Sequence, residues 1–460
     1  MYFGIEKNGL SLSEIADAVN GTPYNFRGED TFVYGICTDT RKKPGLSLFI
    51  ALKGENFDGH DYIQAAYSKG AICAVTDRII NTDKPFIVVE NTLKAYGQIA
   101  HAYRKKFKLL TVAVTGSVGK TTTKEAICAV LSSKLTVCKT EANFNNEVGI
   151  PQTLLEINAS HRAAVIEMGM CAMGEIASLS KITEPDISVI TNIGSSHIGN
   201  LGSKENICKA KLEIVEGMKK GAIILLNGDD EYLQKAHIEA QTKKLVGIEN
   251  ENCDFRAVNI REESGGMKFD LVYDGEIYSL FIGALGKHSV MAASFAAACG
   301  IICGLGEKDL QNGLNQFSGG ELRQKIILKN GFKIIDDCYN ASPESMRASI
   351  DVLKCIKANE SGRAIAILGE MKELGSFSPK MHEAIGEYAA QNGCALFLFG
   401  NNDNTNAMAK AYERAGKKAM MLGDDYETAS KIIKANIKKG DVLLFKASRA
   451  VKLENVAEKI

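Results

Sequence analysis

Residues 111–124 combine a short apolar stretch, two glycines, a lysine and a run of threonines in an order that suits phosphate binding. A glycine turn between a strand and a helix points successive backbone N–H groups at a bound anion, and the positive end of the helix adds to their field. Lys120 can reach the outer phosphates, and the Thr121 hydroxyl can bind Mg²⁺. We therefore expect a nucleotide site, which we call the phosphate cradle. Its residues are Gly116, Ser117, Val118, Gly119, Lys120, Thr121 and Thr122.

The cradle loop is shorter than the usual one. The usual spacing places a glycine five residues before Gly119, where this chain has Val114. Its first glycine is Gly116, which gives the sequence Gly-x-x-Gly-Lys-Thr. The alternative is a plain turn followed by a surface lysine, but the order of strand, glycines, lysine, hydroxyl group and helix favours phosphate binding.

Three further residues with reactive side chains lie on or after the next strands. Glu167 ends the apolar stretch 163–167, and a carboxylate at that edge of a sheet can bind Mg²⁺ together with phosphate oxygens, although a helix cap is the alternative. His197 follows the stretch 187–191, where a structural role fits as well as a catalytic one. Lys211 stands on the next predicted helix, and its chemistry alone does not distinguish it from a solvated lysine.

Asparagines are concentrated at 143–153, which reads Asn-Phe-Asn-Asn-Glu-Val-Gly-Ile-Pro-Gln-Thr. Asn145 and Asn146 could line a ligand site, but asparagine, glycine and proline also mark an ordinary turn. Taken alone, the segment leaves both interpretations open.

The elements that must position these residues alternate between strands and helices. Between 109 and 318, four apolar strands are each followed by a helix, which predicts a doubly wound, mainly parallel sheet with ligands at the carboxyl ends of its strands. The alternating segment 267–273 and the turn Asp274-Gly275 predict an antiparallel addition to that sheet. The four strands are predicted at 111–115, 163–167, 187–191 and 222–226, and an alanine-rich helix packed inside the domain is predicted at about 288–306.

The same alternation on both sides predicts three α/β domains. They are a smaller domain at 1–108, the cradle domain at 109–318 and a second doubly wound, Rossmann-like domain at 319–460. The basic run Arg104-Lys105-Lys106-Phe107-Lys108 at the first boundary is predicted to be a solvated helix end. Outside the cradle domain, strands are predicted at 49–52, 71–76, 86–89, 333–336, 364–368, 395–399 and 441–445, and helices at 12–19, 62–68, 92–106, 342–357 and 378–392.

The composition is that of a globular protein without a strong charge preference. The 460 residues include 55 Lys and Arg and 55 Asp and Glu, so the formal net charge is zero and gives no support to a nucleic-acid partner. Twelve cysteines without a Cys-x-x-Cys pair indicate reduced thiols in a cytoplasmic protein rather than a disulfide framework or a zinc site. Glu6 and Lys7 argue against a secretory signal, and we expect no membrane span.

Five motifs of the central segment, taken in order and spacing, resemble the central domain of the Mur ligases. They are Thr-Gly-Ser-Val-Gly-Lys-Thr-Thr at 115–122, the asparagine-rich segment, Glu-Met-Gly-Met at 167–170, Asn-Ile-Gly-Ser-Ser-His at 192–197 and Ala-Lys-Leu-Glu-Ile at 210–214. Thr38-Asp39-Thr40-Arg41, residues 45–54 and Asp58-Gly59-His60 resemble the amino-terminal UDP-sugar domain of that family. Residues 336–346 and 368–375 resemble the carboxyl-terminal domain of the member that adds D-alanyl-D-alanine.

The resemblance implies ATP-driven formation of an amide bond in peptidoglycan precursor synthesis. The free carboxylate of a UDP-N-acetylmuramoyl tripeptide would attack the γ-phosphate of ATP, and the amine of D-alanyl-D-alanine would capture the resulting acyl phosphate. Such chemistry asks the protein mainly to position its substrates and to neutralise charge. The resemblance also implies ATP, two Mg²⁺ ions and a cytoplasmic enzyme, for which we expect a monomer.

The family's metal-binding and phosphate-binding roles are carried over only to matching residues. The cradle residues would hold the triphosphate, Thr121 and Glu167 would bind Mg²⁺, and His197 would assist a second ion. Lys211 matches a lysine that family members carbamylate with CO₂. Carbamylation replaces a cation, which repels Mg²⁺, by an anionic oxygen ligand.

The family's nucleotide and substrate contacts are carried over in the same way. In the third domain, Arg323 would reach the nucleotide, Asp337 the ribose and Asn340 the reacting phosphate or substrate. The positions that match substrate-side residues are Thr38, Asp39, Thr40, Arg41, Asn145, Asn146, Ser342, Lys446 and Ser448.

Three positions depart from the family pattern. Ala447 stands where the family usually has glycine, and Ser289 and Ala292 stand where it normally has asparagines. An adenine contact is thereby lost, so that another group replaces it or nucleotide selectivity is relaxed. The alternative functions are a related ligase with another acceptor, such as the tripeptide-forming Mur ligase or folylpolyglutamate synthetase, and a non-catalytic nucleotide-binding regulator. The segment Asp-Cys-Tyr-Asn-Ala-Ser-Pro at 337–343 argues against both of these related ligases.

Overall fold

The structure is a computed structural model that describes residues 2–4, 9–27, 30–41, 45–317, 325–358 and 360–460. Within these residues the chain forms three mixed sheets of six, nine and six strands and one two-stranded ribbon. Each large sheet lies within one of the three predicted segments, while the boundaries at 108 and 318 stay predictions. No helix in the described ranges is long and apolar enough to cross a membrane.

The first sheet has a parallel centre and an antiparallel strand at each edge. Its segment contains β1 (Tyr2–Gly4), β2 (Leu10–Ser11), α1 (Leu12–Ala18), β3 (Thr22–Tyr24), β4 (Phe32–Val33), β5 (Gly35–Cys37), β6 (Ser47–Ile50), α2 (Ile63–Ser68), β7 (Ala71–Thr76), β8 (Phe86–Val88) and α3 (Thr92–Arg104). The strand order is β1-β5-β6-β7-β8-β3, and β2 and β4 form the ribbon. A short 3₁₀ helix lies at Gly59–Tyr62.

The second sheet is parallel over seven strands and ends in an antiparallel hairpin. Its strands are β9 (Leu110–Thr115), β10 (Val137–Lys139), β11 (Ala163–Glu167), β12 (Ile187–Ile190), β13 (Ile223–Asn227), β14 (Thr242–Gly247), β15 (Phe255–Glu263), β16 (Gly266–Tyr273) and β17 (Glu276–Ile282). The order is β10-β11-β9-β12-β13-β14-β15-β16-β17. The cradle strand β9 therefore lies between β11 and β12, and the carboxyl ends of all three strands meet at one edge.

Helices cover this sheet and connect its parallel strands. They are α4 (Lys120–Ser132), α5 (Gly149–Leu155), α6 (Glu175–Thr183), α7 (Ile198–Leu201), α8 (Lys204–Leu212), α9 (Glu231–Lys235), α10 (Lys287–Ile302) and α11 (Glu307–Asn315), with a 3₁₀ helix at Glu213–Gly217. Apolar strands such as β9, in which Val112 and Val114 are fully buried, need this cover on both faces. The predicted alanine-rich helix is present as α10, which ends four residues earlier than expected.

The third sheet is parallel except for one edge strand. Its segment contains β18 (Lys325–Lys329), β19 (Phe332–Asp336), α12 (Pro343–Ala358), β20 (Ala364–Leu368), α13 (Ser378–Gln391), β21 (Ala395–Phe399), α14 (Asp403–Arg414), β22 (Met420–Gly423), α15 (Tyr426–Asn436), β23 (Val442–Lys446) and α16 (Glu454–Ala457). The order is β18-β19-β23-β20-β21-β22, with β18 antiparallel to β19. Short 3₁₀ helices lie at Gly375–Phe377 and Arg449–Val451.

The expectation of a solvated helix end at the first boundary is wrong for Arg104, which is buried, whereas Lys105, Lys106 and Lys108 are exposed. Arg104 Nη2 donates to Thr111 Oγ1 at 2.7 Å and to the Glu184 carbonyl oxygen at 3.3 Å. Its Nη1 lies 3.5 Å from Glu184 Oε2. The arginine therefore ties the end of α3 to β9 and to the end of α6, and Glu184 supplies the counter-charge that allows its burial.

Candidate active site

The phosphate cradle lies where β9 ends and α4 begins. Gly116 and Gly119 have φ angles of 150° and 79°, in the region that favours glycine. A Cβ atom at Gly116 would lie 1.9 Å from Thr191 Oγ1, whereas one at Gly119 would meet nothing within 4 Å. Lys120 is the first residue of α4, and its Nζ donates to the Gly116 carbonyl oxygen at 2.8 Å. The turn thus brings a lysine and the N-terminus of a 13-residue helix to one point.

The segment after β12 braces the cradle through hydrogen bonds to Ser117 and Val118. Asn192 Oδ1 accepts from the Val118 N–H group at 3.0 Å, and Asn192 Nδ2 donates to the Val118 carbonyl oxygen at 3.0 Å. Thr191 Oγ1 donates to that same oxygen at 2.6 Å. The Gly194 N–H group donates to Ser117 Oγ at 2.8 Å. Residues 191–194 therefore fix the shape of the loop that would receive phosphates.

Glu167 ends β11 beside the cradle and is 2% exposed. Its Oε2 accepts from Thr121 Oγ1, and its Oε1 accepts from Asn145 Nδ2, both at 2.8 Å. A carboxylate with a hydroxyl group offers the hard oxygen ligands that Mg²⁺ prefers. In the described residues, no three His, Cys, Asp or Glu side chains form a metal-binding group of their own.

Lys211 lies on α8 and is 2% exposed. No hydrogen bond or ion pair to its amine is found in the described part of the chain. Burial, and secondarily the positive charge of Lys120, lower the pKa of Lys211 well below its ordinary value. The neutral amine, which is the form that reacts with CO₂, is therefore favoured at this position.

His197 faces the third domain. Its φ is 63°, and its Nδ1 lies 2.9 Å from Glu373 Oε2. The Gly199 N–H group donates to the Glu373 carbonyl oxygen at 3.1 Å. The contact with His197 is the main cause that lowers the pKa of the Glu373 carboxyl group. The carboxylate and the backbone carbonyl of Glu373 thus both bind the start of α7 and join the second domain to the third.

Asp337 and Lys446 form a buried ion pair at the carboxyl ends of β19 and β23. Lys446 Nζ lies 2.6 Å from Asp337 Oδ2 and donates to the Asn340 carbonyl oxygen at 3.0 Å. Ser349 Oγ also donates to Asp337 Oδ2, at 2.6 Å. Unlike Lys211, Lys446 is surrounded by acceptors, so that its charge is compensated inside the protein.

Ser342 and Ser448 make local contacts near this pair. The Ser342 N–H group donates to Ser345 Oγ at 2.9 Å, next to the start of α12. Ser448 Oγ accepts from the Lys372 N–H group at 2.8 Å, and thereby holds the loop that carries Glu373.

A cleft of about 1040 Å³ joins the cradle to the third domain. Its walls include residues 117–120 and Asn192 on one side and Asp337, Asn340 and Lys446 on the other. Pockets for small ligands span about 300–1,000 Å³, so this cleft is large enough for a nucleotide and part of a second ligand.

Three family models match the chain in the order of its three sheets. They are the Mur ligase family catalytic domain at residues 32–110, the Mur ligase middle domain at 114–300 and the Mur ligase glutamate ligase domain at 322–449. The chain is 37% identical to the UDP-N-acetylmuramoyl-tripeptide--D-alanyl-D-alanine ligase of Bacillus subtilis. The match covers 97% of this chain and 97% of that protein. The chain belongs to the Mur ligase family.

Solved structures of Mur ligases share the whole architecture. A crystal structure of MurF from Acinetobacter baumannii is 28% identical, with a TM-score of 0.89 over 99% of both chains. MurF ligase from Thermotoga maritima in complex with ADP is 30% identical, with a TM-score of 0.82 over 92% of this chain and 96% of that one. The predicted fold class, three α/β domains with a doubly wound, mainly parallel central sheet, is confirmed.

Beyond the cradle, this Mur ligase lines its cleft with apolar groups from α10 and its neighbours. Ser289 Oγ donates to the Leu285 carbonyl oxygen at 2.9 Å within its own helix. Ala292 offers only a methyl group. Neither residue supplies a side-chain amide, and the surrounding wall contains Met291 and Phe317. The same wall also contains Asn227, Glu249 and His288, so that it combines apolar with polar side chains.

The substrate-side residues of the first domain lie in the loop after β5. The Asp39 carboxylate accepts from the Arg41 guanidinium, with Nη2 to Oδ2 at 2.7 Å, and this contact holds the pKa of Asp39 well below its usual range. The Arg41 side chain is 89% exposed, and Lys69 Nζ donates to the Thr40 carbonyl oxygen at 2.6 Å. The structure does not place residues 38–41 in the wall of the cleft. Arg323 lies outside the described residues.

Sequence analysis missed two glutamates at the meeting of the second and third domains. Glu373 contacts His197, and Glu344 accepts from the Ser195 hydroxyl group at 2.9 Å. Glu344 and Ser195 are 149 residues apart in the chain, so that no local pattern links them. Asn146, by contrast, lies in the turn before α5, where its Oδ1 accepts from the Gly149 N–H group at 2.9 Å.

Proposed function

We propose that this chain is an ATP-dependent ligase that joins D-alanyl-D-alanine to the free carboxylate of a UDP-N-acetylmuramoyl tripeptide. The observation that carries the proposal is the shared cleft, in which the cradle of the second domain faces Asp337, Asn340 and Lys446 of the third. Relatives named for this reaction match more than nine-tenths of the chain at 37% and 38% identity. A cleft between two domains suits a reaction that must hold several substrates in one orientation.

In the proposed reaction, the tripeptide carboxylate attacks the γ-phosphorus of ATP, and ADP leaves as an acyl phosphate forms. The amine of D-alanyl-D-alanine then attacks the acyl carbon, loses a proton and forms the amide bond as phosphate leaves. Negative charge builds on the phosphoryl oxygens during the first step. Lys120 and the backbone N–H groups of residues 116–122 neutralise that charge, and the braced cradle keeps them in place.

We propose Thr121, Glu167 and His197 as the residues that serve Mg²⁺. The buried carboxylate of Glu167 and the hydroxyl group of Thr121 fit the ligand preference of this ion, and His197 would assist a second one. Bound Mg²⁺ would neutralise phosphate charge. For Lys211 we propose carbamylation: the neutral amine attacks CO₂ and releases a proton, so that an anionic carbamate replaces a neutral amine. A carbamate carbon signal in the NMR spectrum after addition of ¹³C-bicarbonate, absent in Lys211→Ala, tests this modification.

The remaining roles follow the family pattern. We propose Arg323 for the nucleotide, Asp337 for the ribose and Asn340 for the reacting phosphate or substrate. The residues proposed for the UDP-tripeptide and the dipeptide are Thr38, Asp39, Thr40, Arg41, Asn145, Asn146, Ser342, Lys446 and Ser448. We further propose domain boundaries near 108 and 318 and a monomer that works in the cytoplasm.

Phosphate release by the purified protein tests the function. We expect release only when ATP, Mg²⁺, UDP-N-acetylmuramoyl tripeptide and D-alanyl-D-alanine are all present. Turnover with a UDP-dipeptide and a diamino acid, or with a folate and glutamate, would identify a different ligase of this fold. Binding of ADP without turnover in any of these mixtures would identify a nucleotide-binding regulator.

A further inference from the structure

Glu344 connects the third domain to the segment that braces the cradle. Its Oε1 accepts from the Ser195 N–H group and from Ser195 Oγ, each at 2.9 Å. Glu344 stands in the first turn of α12, in the third domain, whereas Ser195 follows β12 in the second. Two donors on one carboxylate oxygen make this a directed contact between the domains.

Gly194 links this contact to Ser117 of the cradle. Ser195 follows Gly194, whose N–H group donates to Ser117 Oγ at 2.8 Å. A Cβ atom at Gly194 would lie 2.9 Å from Glu344 Cδ and 3.0 Å from Ser117 Cβ. A side chain at position 194 would therefore displace the Glu344 carboxylate or Ser117, and glycine lets the two domains approach this closely.

A helix cap is the ordinary explanation of a glutamate in the first turn of a helix. Here the geometry differs, since Glu344 Oε1 accepts from the N–H and hydroxyl groups of Ser195 and not from the amides of α12. Glu344 Oε2 is buried and has no hydrogen-bond partner among the described residues. The nearest cation to the carboxylate, Lys204, lies 3.9 Å from Oε1. The carboxylate is therefore held in this position by the meeting of the domains rather than by its own helix.

We propose that Glu344 is a positioning residue for nucleotide binding. Its bonds to Ser195 press residues 194–195 against Ser117, so that the cradle has its binding shape only while the third domain is docked. The choice of nucleotide as the ligand rests on the proposed function. Docking and ADP binding can nevertheless be measured without any ligase turnover.

The test compares Glu344→Ala, Glu344→Gln, Ser195→Ala and the double variant Glu344→Ala/Ser195→Ala in the full chain. Glu413→Ala is the control, since Glu413 is an exposed glutamate of α14 in the same domain. ADP affinity is measured by titration calorimetry with Mg²⁺, and the radius of gyration by small-angle scattering. KM for ATP and KM for D-alanyl-D-alanine are measured in the ligase assay.

Glu344→Ala should weaken ADP binding and raise KM for ATP about tenfold, the effect of losing a hydrogen bond to a charged group, with an increased radius of gyration. KM for D-alanyl-D-alanine should stay within about twofold, because the contact acts on the cradle. Glu344→Gln keeps an acceptor oxygen and should restore most of the affinity. Ser195→Ala should weaken binding less, and the double variant should be no worse than Glu344→Ala.

The proposal is overturned if Glu344→Ala binds ADP as Glu413→Ala does, if Glu344→Gln is as weak as Glu344→Ala, or if the two single effects add. Should Glu344→Ala fail to fold, an unchanged ADP affinity in Ser195→Ala overturns it in the same way. Loss of ADP affinity in these variants together with a wild-type protein that releases no phosphate would remove the proposed ligase function and leave the role of Glu344 in place.

Discussion

Two buried lysines of this molecule have opposite surroundings. Lys446 lies 2.6 Å from the Asp337 carboxylate and donates to a backbone carbonyl, so that its ammonium ion is compensated. Lys211 is buried near a second cation, Lys120, and its pKa is lowered. Burial without a counter-charge favours the neutral form of an amine, and this separates Lys211 from Lys446.

The lowered pKa of Lys211 predicts how stability changes with pH. Between that pKa and the ordinary value near 10.5, the unfolded chain holds a proton that the folded protein lacks, so stability rises with pH by up to about 1.4 kcal/mol per unit. Lys211→Met removes the free-energy cost of burying a lysine that loses its proton on folding. In buffer free of bicarbonate, the variant should have the higher thermal midpoint near neutral pH, and its advantage should shrink as the pH rises. Lys209→Met, an exposed change on the same helix, should show no such trend.

Lys120 should matter for turnover and little for folding. It is half-buried at the start of α4, and its Nζ donates to carbonyl oxygens of its own turn. Lys120→Ala should lower kcat by about 10²–10³-fold or more, because charge on the transferred phosphoryl group loses its main cation. Phosphate release and the thermal midpoint measure the two effects. A folded variant with near-normal turnover would contradict the role.

Sequence analysis identified the residues of the cradle but misjudged Arg104. A run of basic residues at a helix end is solvated in most proteins, and nothing local distinguishes Arg104 from its neighbours. Its burial depends on Glu184, 80 residues later, and on Thr111, both of which reach it only in the folded chain. The cradle could be predicted because its residues stand in one short segment. The burial of Arg104 could not, because its partners stand elsewhere in the chain.

At the scale of elements, the two cradle glycines offer a matched comparison. Gly116→Ala adds a methyl group 1.9 Å from Thr191 Oγ1, whereas Gly119→Ala adds one in open space at a positive φ. Gly119→Ala should cost about 1–2 kcal/mol of backbone strain, and Gly116→Ala should cost about 1–3 kcal/mol more through overpacking. Thermal unfolding of the two variants measures the difference. Equal midpoints would mean that Thr191 moves aside and does not brace the cradle.

Strands with a strong local signal were predicted well, whereas the interior strands β5 and β14 and several edge strands were missed. β7, β11, β20 and β21 have the predicted bounds, and the turn Asp274-Gly275 joins β16 to β17 with both φ angles positive, as a tight hairpin requires. β18 and β22, which form the two edges of the third sheet, were missed. Edge strands alternate weakly and carry charged residues such as Lys325 and Lys329, so their identity depends on pairing rather than on sequence.

At the scale of the whole molecule, the cleft belongs to two domains. A ligand that bridges the cradle and Asp337 should protect both walls from hydrogen exchange together. With nucleotide at about 100 times its Kd, exchange that requires the domains to separate should slow about 100-fold in the first turn of α4 and in residues 337–345. Mass spectrometry of peptides from both regions measures it. Protection confined to the cradle would mean that the third domain does not contact the nucleotide.

The parts of the site that sequence analysis missed are those made between domains. The cradle and Glu167 each lie at the end of one strand, as the sequence predicted, and their roles toward phosphate and Mg²⁺ stay predictions. Glu344 and Glu373 matter because Ser195 and His197 lie opposite them, and that juxtaposition exists only after the second and third sheets have formed and their domains have met. The fold class and domain number could be predicted from alternation and resemblance, but the geometry of the domain interface could not.

The strand order determines when, during synthesis of the chain, the cradle and the cleft are complete. The cradle strand β9 lies between β11 and β12, which leave the ribosome later, so the cradle is incomplete until residue 190 has emerged. In the third sheet, β23 lies between β19 and β20 and is made after both. β23 carries Lys446, the partner of Asp337, at its end. A nascent chain can thus form its nucleotide-binding half first, and the opposing wall closes in one late step, so that no unfinished chain has the assembled cleft needed to consume ATP.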